Sequence, residues 1–385
     1  MTTPGTLQQL GSLQTMVRAL AEETDETTFR TQYHPDLSPL GWHLGHCVYA
    51  ECYWLYEAVS GNRELTAAIE NLYIPANSPK QERGAKLPQR ERLLEWAEQV
   101  QQHNLLHLKQ LTSPAADHHL HADEYLQHFL IQHRCQHVET MIMVLHQKAL
   151  HDTVAPFSVE KPLVCAPVTR NALRIPDGYY KVGGQPPLAY DNELPQQRVK
   201  IDSFHIARCP VSNAEFLAFM EADGYLQEDS WGSKGWAWRQ QTLAAHPEHW
   251  RRDGNRNWYG IGLRGAYELI PDEPVSGISY FEAEAYAHWA GGKLPHEYQW
   301  ETASRLELIE QTGRVWEWCR NTFHPYEGFT PFPYEDYSQP WFDGAHYTLR
   351  GGSIHTQPQV RRHSFRNFYT PDKRHVFAGL RLVFN

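Results

Sequence analysis

The sequence predicts an α+β protein in which an N-terminal four-helix bundle is followed by a C-terminal domain of short strands and long loops. Two observations carry this. From about Leu7 to Leu150 apolar residues recur with a helical period, and beyond Ile175 the pattern changes to short apolar runs broken by glycines and aromatics. Between them Pro156, Pro162 and Pro167 interrupt a polar stretch with no sustained period, which reads as a linker. The expected organisation is therefore a bundle over 1–150, a linker over 151–175 and a second domain over 176–385. At 385 residues and 41% hydrophobic content the chain has apolar side chains enough for two cores.

Each bundle helix has its own signal. Leu10, Leu13, Met16, Val17 and Leu20 form one amphipathic stripe. A second helix carries GWHLGHCVYAECYWLYEAV, with Ser38 placed to cap it and Pro39 at its first position. The third, Glu91 to Leu111, presents Leu93, Leu94, Trp96, Val100, Leu105 and Leu108 at helical spacing. Asp123 is placed to cap the fourth, which contains LIQHRCQHVETMIMVL, residues Leu130 to Leu145. In the second domain the pattern predicts helices over Asn213 to Ala222 and Tyr280 to Ala290. Strands are predicted over Gln197 to Phe204, Tyr347 to Arg350 and near Phe377 to Val383, with a long loop from Asn321 to Ala345.

Composition excludes several classes. A net charge of -10 with no long basic run argues against nucleic acid as a partner, since there is no phosphate track. No segment approaches the roughly 20 apolar residues of a membrane span, and the N-terminus lacks the basic and apolar regions of an export signal, so a cytoplasmic location is expected. Six cysteines without a CxxC pair fit reduced thiols rather than a disulfide framework or a zinc ribbon.

The chemistry-bearing signal lies in the fourth helix. His133 and His137 are i and i+4, so at about 3.6 residues per turn their rings leave one face and can meet one metal ion. Metal sites in bundles form where facing helices point side chains inward, and the second helix offers His43 or His46 as a third ligand. Trp42 and His46, also i and i+4, share a face.

SPLGWHLGHCVYAE, QHRCQHVET, DNELPQQRVKIDSFHIARCPVSNAEFLAFMEADGY, PVSGISYFEAEAYAHWAGGKLPHEYQWETA, GRVWEWCRN, LRGGSIH and SFRNFYTPDKRHVFAGLRL together resemble the ergothioneine sulfoxide synthase and selenoneine synthase family. The resemblance implies a DinB-like four-helix bundle joined to a formylglycine-generating-enzyme-like, C-type-lectin-related domain. It implies Fe(II) held by His46, His133 and His137, with His43 the less favoured neighbour and Glu139 a supporting carboxylate. Arg134 departs from the family, whose members commonly have Glu after the first histidine of this motif.

The implied partners are small molecules: Nα-trimethylhistidine, dioxygen, and a sulfur or selenium donor. Trp42, Asn367, Phe368 and Tyr369 fall on the motifs that hold the trimethylammonium group, for which aromatic faces are the natural partner. Gln136 is expected to hydrogen-bond the acceptor imidazole. Lys80 and Arg83 occupy the donor loop where an arginine pair is common; lysine lacks the planar fork that grips a carboxylate, which turns the expectation toward a selenosugar over cysteine or γ-glutamylcysteine. Asp372, Lys373 and Arg374 lie at the C-terminal lip, and among Tyr326, Tyr334 and Tyr337 the catalytic tyrosine is expected at Tyr334. A cysteine-oxidising enzyme of the formylglycine-generating kind is disfavoured because RGGSIHTQPQVRRHSFRN has no cysteine. A purely binding module would leave three histidines idle.

Overall fold

The computed structural model describes residues 5–110, 118–152 and 156–384. The chain divides into two compact units: Met1–Asp152 with Pro186–Leu188 and Thr356–Val360, and Thr153–Gln185 with Ala189–His355 and Arg361–Asn385.

The first unit is built on four long helices, Thr6–Glu22, Leu40–Cys52, Arg90–Gln110 and Tyr125–His151. Thr6–Glu22 buries Leu10, Leu13 and Val17, whereas Met16, predicted in the same stripe, is exposed. The second helix continues through one π turn, Tyr53–Glu57, and ends at Gly61, whose φ of 72° gives the left-handed stop that glycine favours. Two predicted caps are corrected. Pro39 takes the cap position of Leu40–Cys52, and the Ser38 hydroxyl instead accepts from Arg83 Nη1, because a buried guanidinium competes for it. Asp123 and Glu124 both adopt left-handed backbone ahead of Tyr125–His151, and Glu124, not Asp123, takes the cap position, without a side-chain capping bond. Leu111 of the third predicted helix lies outside the described residues.

Among its described residues the second unit holds four small sheets. Gln197–Ile201 pairs with Gly178–Val182, while Phe204–Ala207 lies between Ala172–Ile175 and Val383–Phe384. The single strand predicted over Gln197 to Phe204 is therefore two, because its halves pair with different partners. Ala172–Ile175 falls inside the stretch read as a linker; Ile175, with no exposed surface, packs with Ile201, Phe204, Ile206, Trp300 and Val383 in the core. Trp316–Thr322 and Tyr347–Arg350 pair antiparallel; Asn367–Tyr369 extends this sheet at one edge and Ala378–Gly379 at the other. Helices Asn213–Glu221 and Tyr280–Trp289 each open on a capping box, Ser212 with Glu215 and Ser279 with Glu282. Among the described residues no helix is long and apolar enough to cross a membrane.

Candidate metal centre

The Leu40–Cys52 helix contributes His46, and Tyr125–His151 contributes His133 and His137. One ligand atom from each lies within 4.8 Å of the other two. His46 Nε2 and His133 Nε2 are 3.2 Å apart, matching the roughly 3 Å expected of two imidazole nitrogens each bonded at about 2 Å to one metal ion.

The GWHLGH sequence explains how His46 is aimed. A side chain at Gly41 would meet the Phe29 ring at 2.3 Å, and one at Gly45 would meet the Tyr73 ring at 2.2 Å, so both glycines are openings for aromatic rings. The close approach of Tyr73 brings its carbonyl to His46 Nδ1 at 2.8 Å. His46 donates there, which fixes its tautomer and leaves Nε2 free to bind metal. His137 Nδ1 lies 3.0 Å from His43 Nδ1.

Burial sets the electrostatics. It pushes His46 down to about 4, against the opposing pull of the Tyr73 carbonyl, and pushes His133 and His137 well below the usual histidine range. All three are neutral near pH 7, as metal ligands must be, and no carboxylate belongs to the cluster. The donor set fits a divalent transition metal held by nitrogen with further positions open.

Arg134 carries a charge that helps to lower all three histidines and is itself met by a carboxylate. Its Nε donates to Glu51 Oε2 at 3.0 Å, and Nη2 makes a second, shorter contact to the same carboxylate. Glu51 Oε1 accepts from Gln14 and Asn104, both at 2.8 Å. The pair is buried, so the arginine at this position is matched by a carboxylate inside the bundle. Sequence reasoning missed Glu51 and Tyr73. The available signal for Glu51 was a lone acid in the apolar run VYAECYWL.

Three expectations for the acceptor and donor pockets change. Trp42 stacks on His46 at 4.7 Å and 11°, while the Arg83 guanidinium sits 3.8 Å from the same ring centre. Two groups this close to one centroid occupy its two faces, so Trp42 is a wall behind a ligand, with no open face for a trimethylammonium group. Arg83 is buried, and its donors go to the Ser78 and Pro75 carbonyls and the Ser38 hydroxyl. Lys80 Nζ donates to the Asp36 carbonyl at 2.6 Å. Backbone oxygens, rather than a free clamp for carboxylates, occupy this loop. Glu139 accepts from Thr356 Oγ1 at 2.6 Å. Gln136, half-buried, stands at i+3 from His133 on the ligand helix.

The remaining candidates belong to the second unit. Phe368 stacks on Phe323 at 4.2 Å, and Tyr369 pairs edge-on with His375 at 6.0 Å. The Asn367 side chain accepts from the Phe368 amide at 2.9 Å. Tyr334 is 39% exposed beside Tyr337, whereas Tyr326 is buried, with its hydroxyl 3.5 Å from Arg350 Nη2. At the C-terminal lip Asp372 pairs with Lys373, and Arg374 is committed to Glu282.

Comparison with known proteins agrees with this division. The DinB superfamily profile matches residues 9–141, and the profile of the sulfatase-modifying factor enzyme 1-like domain matches 163–307 and 303–385. The chain is 31% identical over 432 residues to the hercynine oxygenase of Mycolicibacterium smegmatis, covering 94% of this chain and 95% of that relative. The chain belongs to the hercynine oxygenase family. As a member of that family it is an oxygen-dependent oxidoreductase. It is also 27% identical over 234 residues to ergothioneine biosynthesis protein 1 of Schizosaccharomyces pombe, covering 51% of this chain and 28% of that one. The formylglycine-generating enzyme of Bos taurus is 37% identical over 157 residues, which cover 37% of this chain and 41% of that enzyme.

Proposed function

We propose that this hercynine oxygenase family member is a non-haem Fe(II) enzyme that joins a chalcogen to the imidazole of hercynine, Nα-trimethylhistidine, using dioxygen, and that selenium is its favoured donor atom. The observation that carries the reading is the neutral His46, His133 and His137 cluster, whose three nitrogens leave open positions on one metal ion. Bound there, iron would supply dioxygen activation and a common site for donor and acceptor. The chain's own part is orientation: the Tyr73 carbonyl fixes His46, and Trp42 backs its ring. Gln136 is assigned to the acceptor imidazole. In the second unit Asn367, Phe368 and Tyr369 are assigned to recognition of the trimethylated amine, and Tyr334 to carrying a proton or electron.

The donor assignment rests on the Lys80 and Arg83 loop. With Arg83 pressed against Trp42 and Lys80 bound to a backbone carbonyl, this pair does not present the fork that grips cysteine or γ-glutamylcysteine carboxylates, which favours a selenosugar. Ergothioneine-type sulfoxide synthesis from cysteine or γ-glutamylcysteine is the second reading, favoured by the fission-yeast relative's name. One experiment separates them. Metal-free protein is loaded anaerobically with Fe(II) and hercynine, the three donors are offered in competition, air is admitted, and products are read by mass. A carbon–selenium product in excess is expected; a carbon–sulfur product in excess establishes the second reading, and no coupled product from any donor removes both. Replacing Tyr334 with Phe is expected to lower the ratio of coupled product to oxidised donor, and an unchanged ratio would withdraw that tyrosine.

A further inference from the structure

His43 is a buried imidazole for which the metal reading has no use. It lies on the Leu40–Cys52 helix with 4% of its surface exposed, edge-on to Trp42, and its Nδ1 is 3.0 Å from His137 Nδ1. Its Nε2 is enclosed with no partner at hydrogen-bond distance.

Two ring nitrogens 3.0 Å apart share one proton, and the two ways of placing it differ in consequence. If the proton is on His43 Nδ1, neutral His137 carries its own on Nε2, where an N–H would oppose a metal ion. If it is on His137 Nδ1, then His137 Nε2 keeps its lone pair and His43 becomes the Nε2–H tautomer. Only the second arrangement is compatible with coordination through His137 Nε2. It also repeats what is seen at His46, where an acceptor on Nδ1, the Tyr73 carbonyl, fixes the ring.

We propose that His43 is a positioning residue: its Nδ1 accepts the Nδ1 proton of His137 and so holds that ligand in the tautomer whose Nε2 faces the metal. This rests on the metal-centre reading above. Two of the three ligands are then oriented from within the bundle, one by a backbone carbonyl and one by a second imidazole.

The test uses the full-length metal-free protein and Co(II) as a spectroscopic probe. His43→Phe removes the acceptor and is expected to weaken Co(II) binding about 10- to 100-fold while still saturating at one ion per chain. His43→Asn, whose Oδ1 can take the place of Nδ1, is expected to bind close to wild type. Two-bond ¹H–¹⁵N correlation spectra of unsubstituted, diamagnetic Zn(II)-loaded protein are expected to place the His137 proton on Nδ1, a readout that needs no variant to fold. Unchanged affinity in His43→Phe overturns the proposal, as does a His137 proton on Nε2. Complete loss of the ion, equal to that in His46→Ala, also overturns it by making His43 a ligand. If wild-type protein binds no Co(II), the metal reading itself fails, a result distinct from these.

Discussion

In the second unit Glu297 faces Arg366 at 2.8 Å, Glu301 faces Arg350 at 2.6 Å and Glu317 faces Arg381 at 2.7 Å, all without exposed carboxylate surface. In the first unit His46, His133 and His137 face one another, with no opposite charge in the group. Both regions gather polar side chains, but one set pairs opposite charges and the other brings like, neutral groups together. A buried ion pair with its hydrogen bonds made is architecture: against a burial cost that raises it, Arg366 and Arg350 hold the Glu297 carboxyl down at about 2. A group of like, neutral donors converging on one point, held by the Tyr73 carbonyl, Trp42 and His43, is an arrangement that a bound metal ion would complete. The Arg134 and Glu51 pair shows that the first unit contains both kinds, one residue apart along the ligand helix.

Breaking an architectural pair has the largest expected effect on folding. Glu51→Ala leaves Arg134 as an uncompensated buried charge and should destabilise the metal-free protein by about 3–5 kcal/mol in denaturant unfolding. Replacing both partners together, Glu51→Leu with Arg134→Met, should recover most of that loss. If Glu51→Ala unfolds at the wild-type denaturant concentration, the distinction between the two regions is wrong.

Acid separates the regions by pH window. His46 is held at about 4 in the folded chain and is near 6.5 when unfolded. Between these values the unfolded state binds the proton that the folded state refuses, so stability falls as pH drops from about 6.5 to about 4, by at most about 1.4 kcal/mol per unit for each such histidine. Glu297, lowered from 4.5 to about 2, contributes stability above 4.5 that is lost only below that value. Metal-free protein should therefore weaken in the upper window first, as measured by urea midpoints across pH. A midpoint flat from pH 6.5 to 5 would contradict histidines held neutral in the folded chain. The smallest effect is expected at Trp42, where Trp42→Phe removes the Nε1 bond to the Leu72 carbonyl and should cost about 1 kcal/mol. It should leave the metal stoichiometry unchanged, since the wall and not the ligand is altered.

Much of the bundle was legible because a helical period repeats locally, and the shared face of His133 and His137 was legible because i and i+4 spacing is a property of the helix alone. What escaped depends on residues far apart in sequence. Glu51 meets Arg134 across 83 positions, and Arg83 takes both the Ser38 hydroxyl and the face of Trp42 that a substrate cation was expected to use. The strand over Gln197 to Phe204 divides for the same reason: its partners, not its own alternation, decide where pairing stops. Family motifs pointed to His46 as the third candidate ligand, and the structure shows how its ring is placed, by two glycines that admit aromatic rings.

Anaerobic Fe(II) titration of the metal-free chain reads out whether His46, His133 and His137 form one metal centre. Wild-type protein should bind one Fe(II) per chain and His133→Ala none, with the variant as stable to urea as the metal-free wild type. Equal iron binding by both proteins, or none by either, would contradict it.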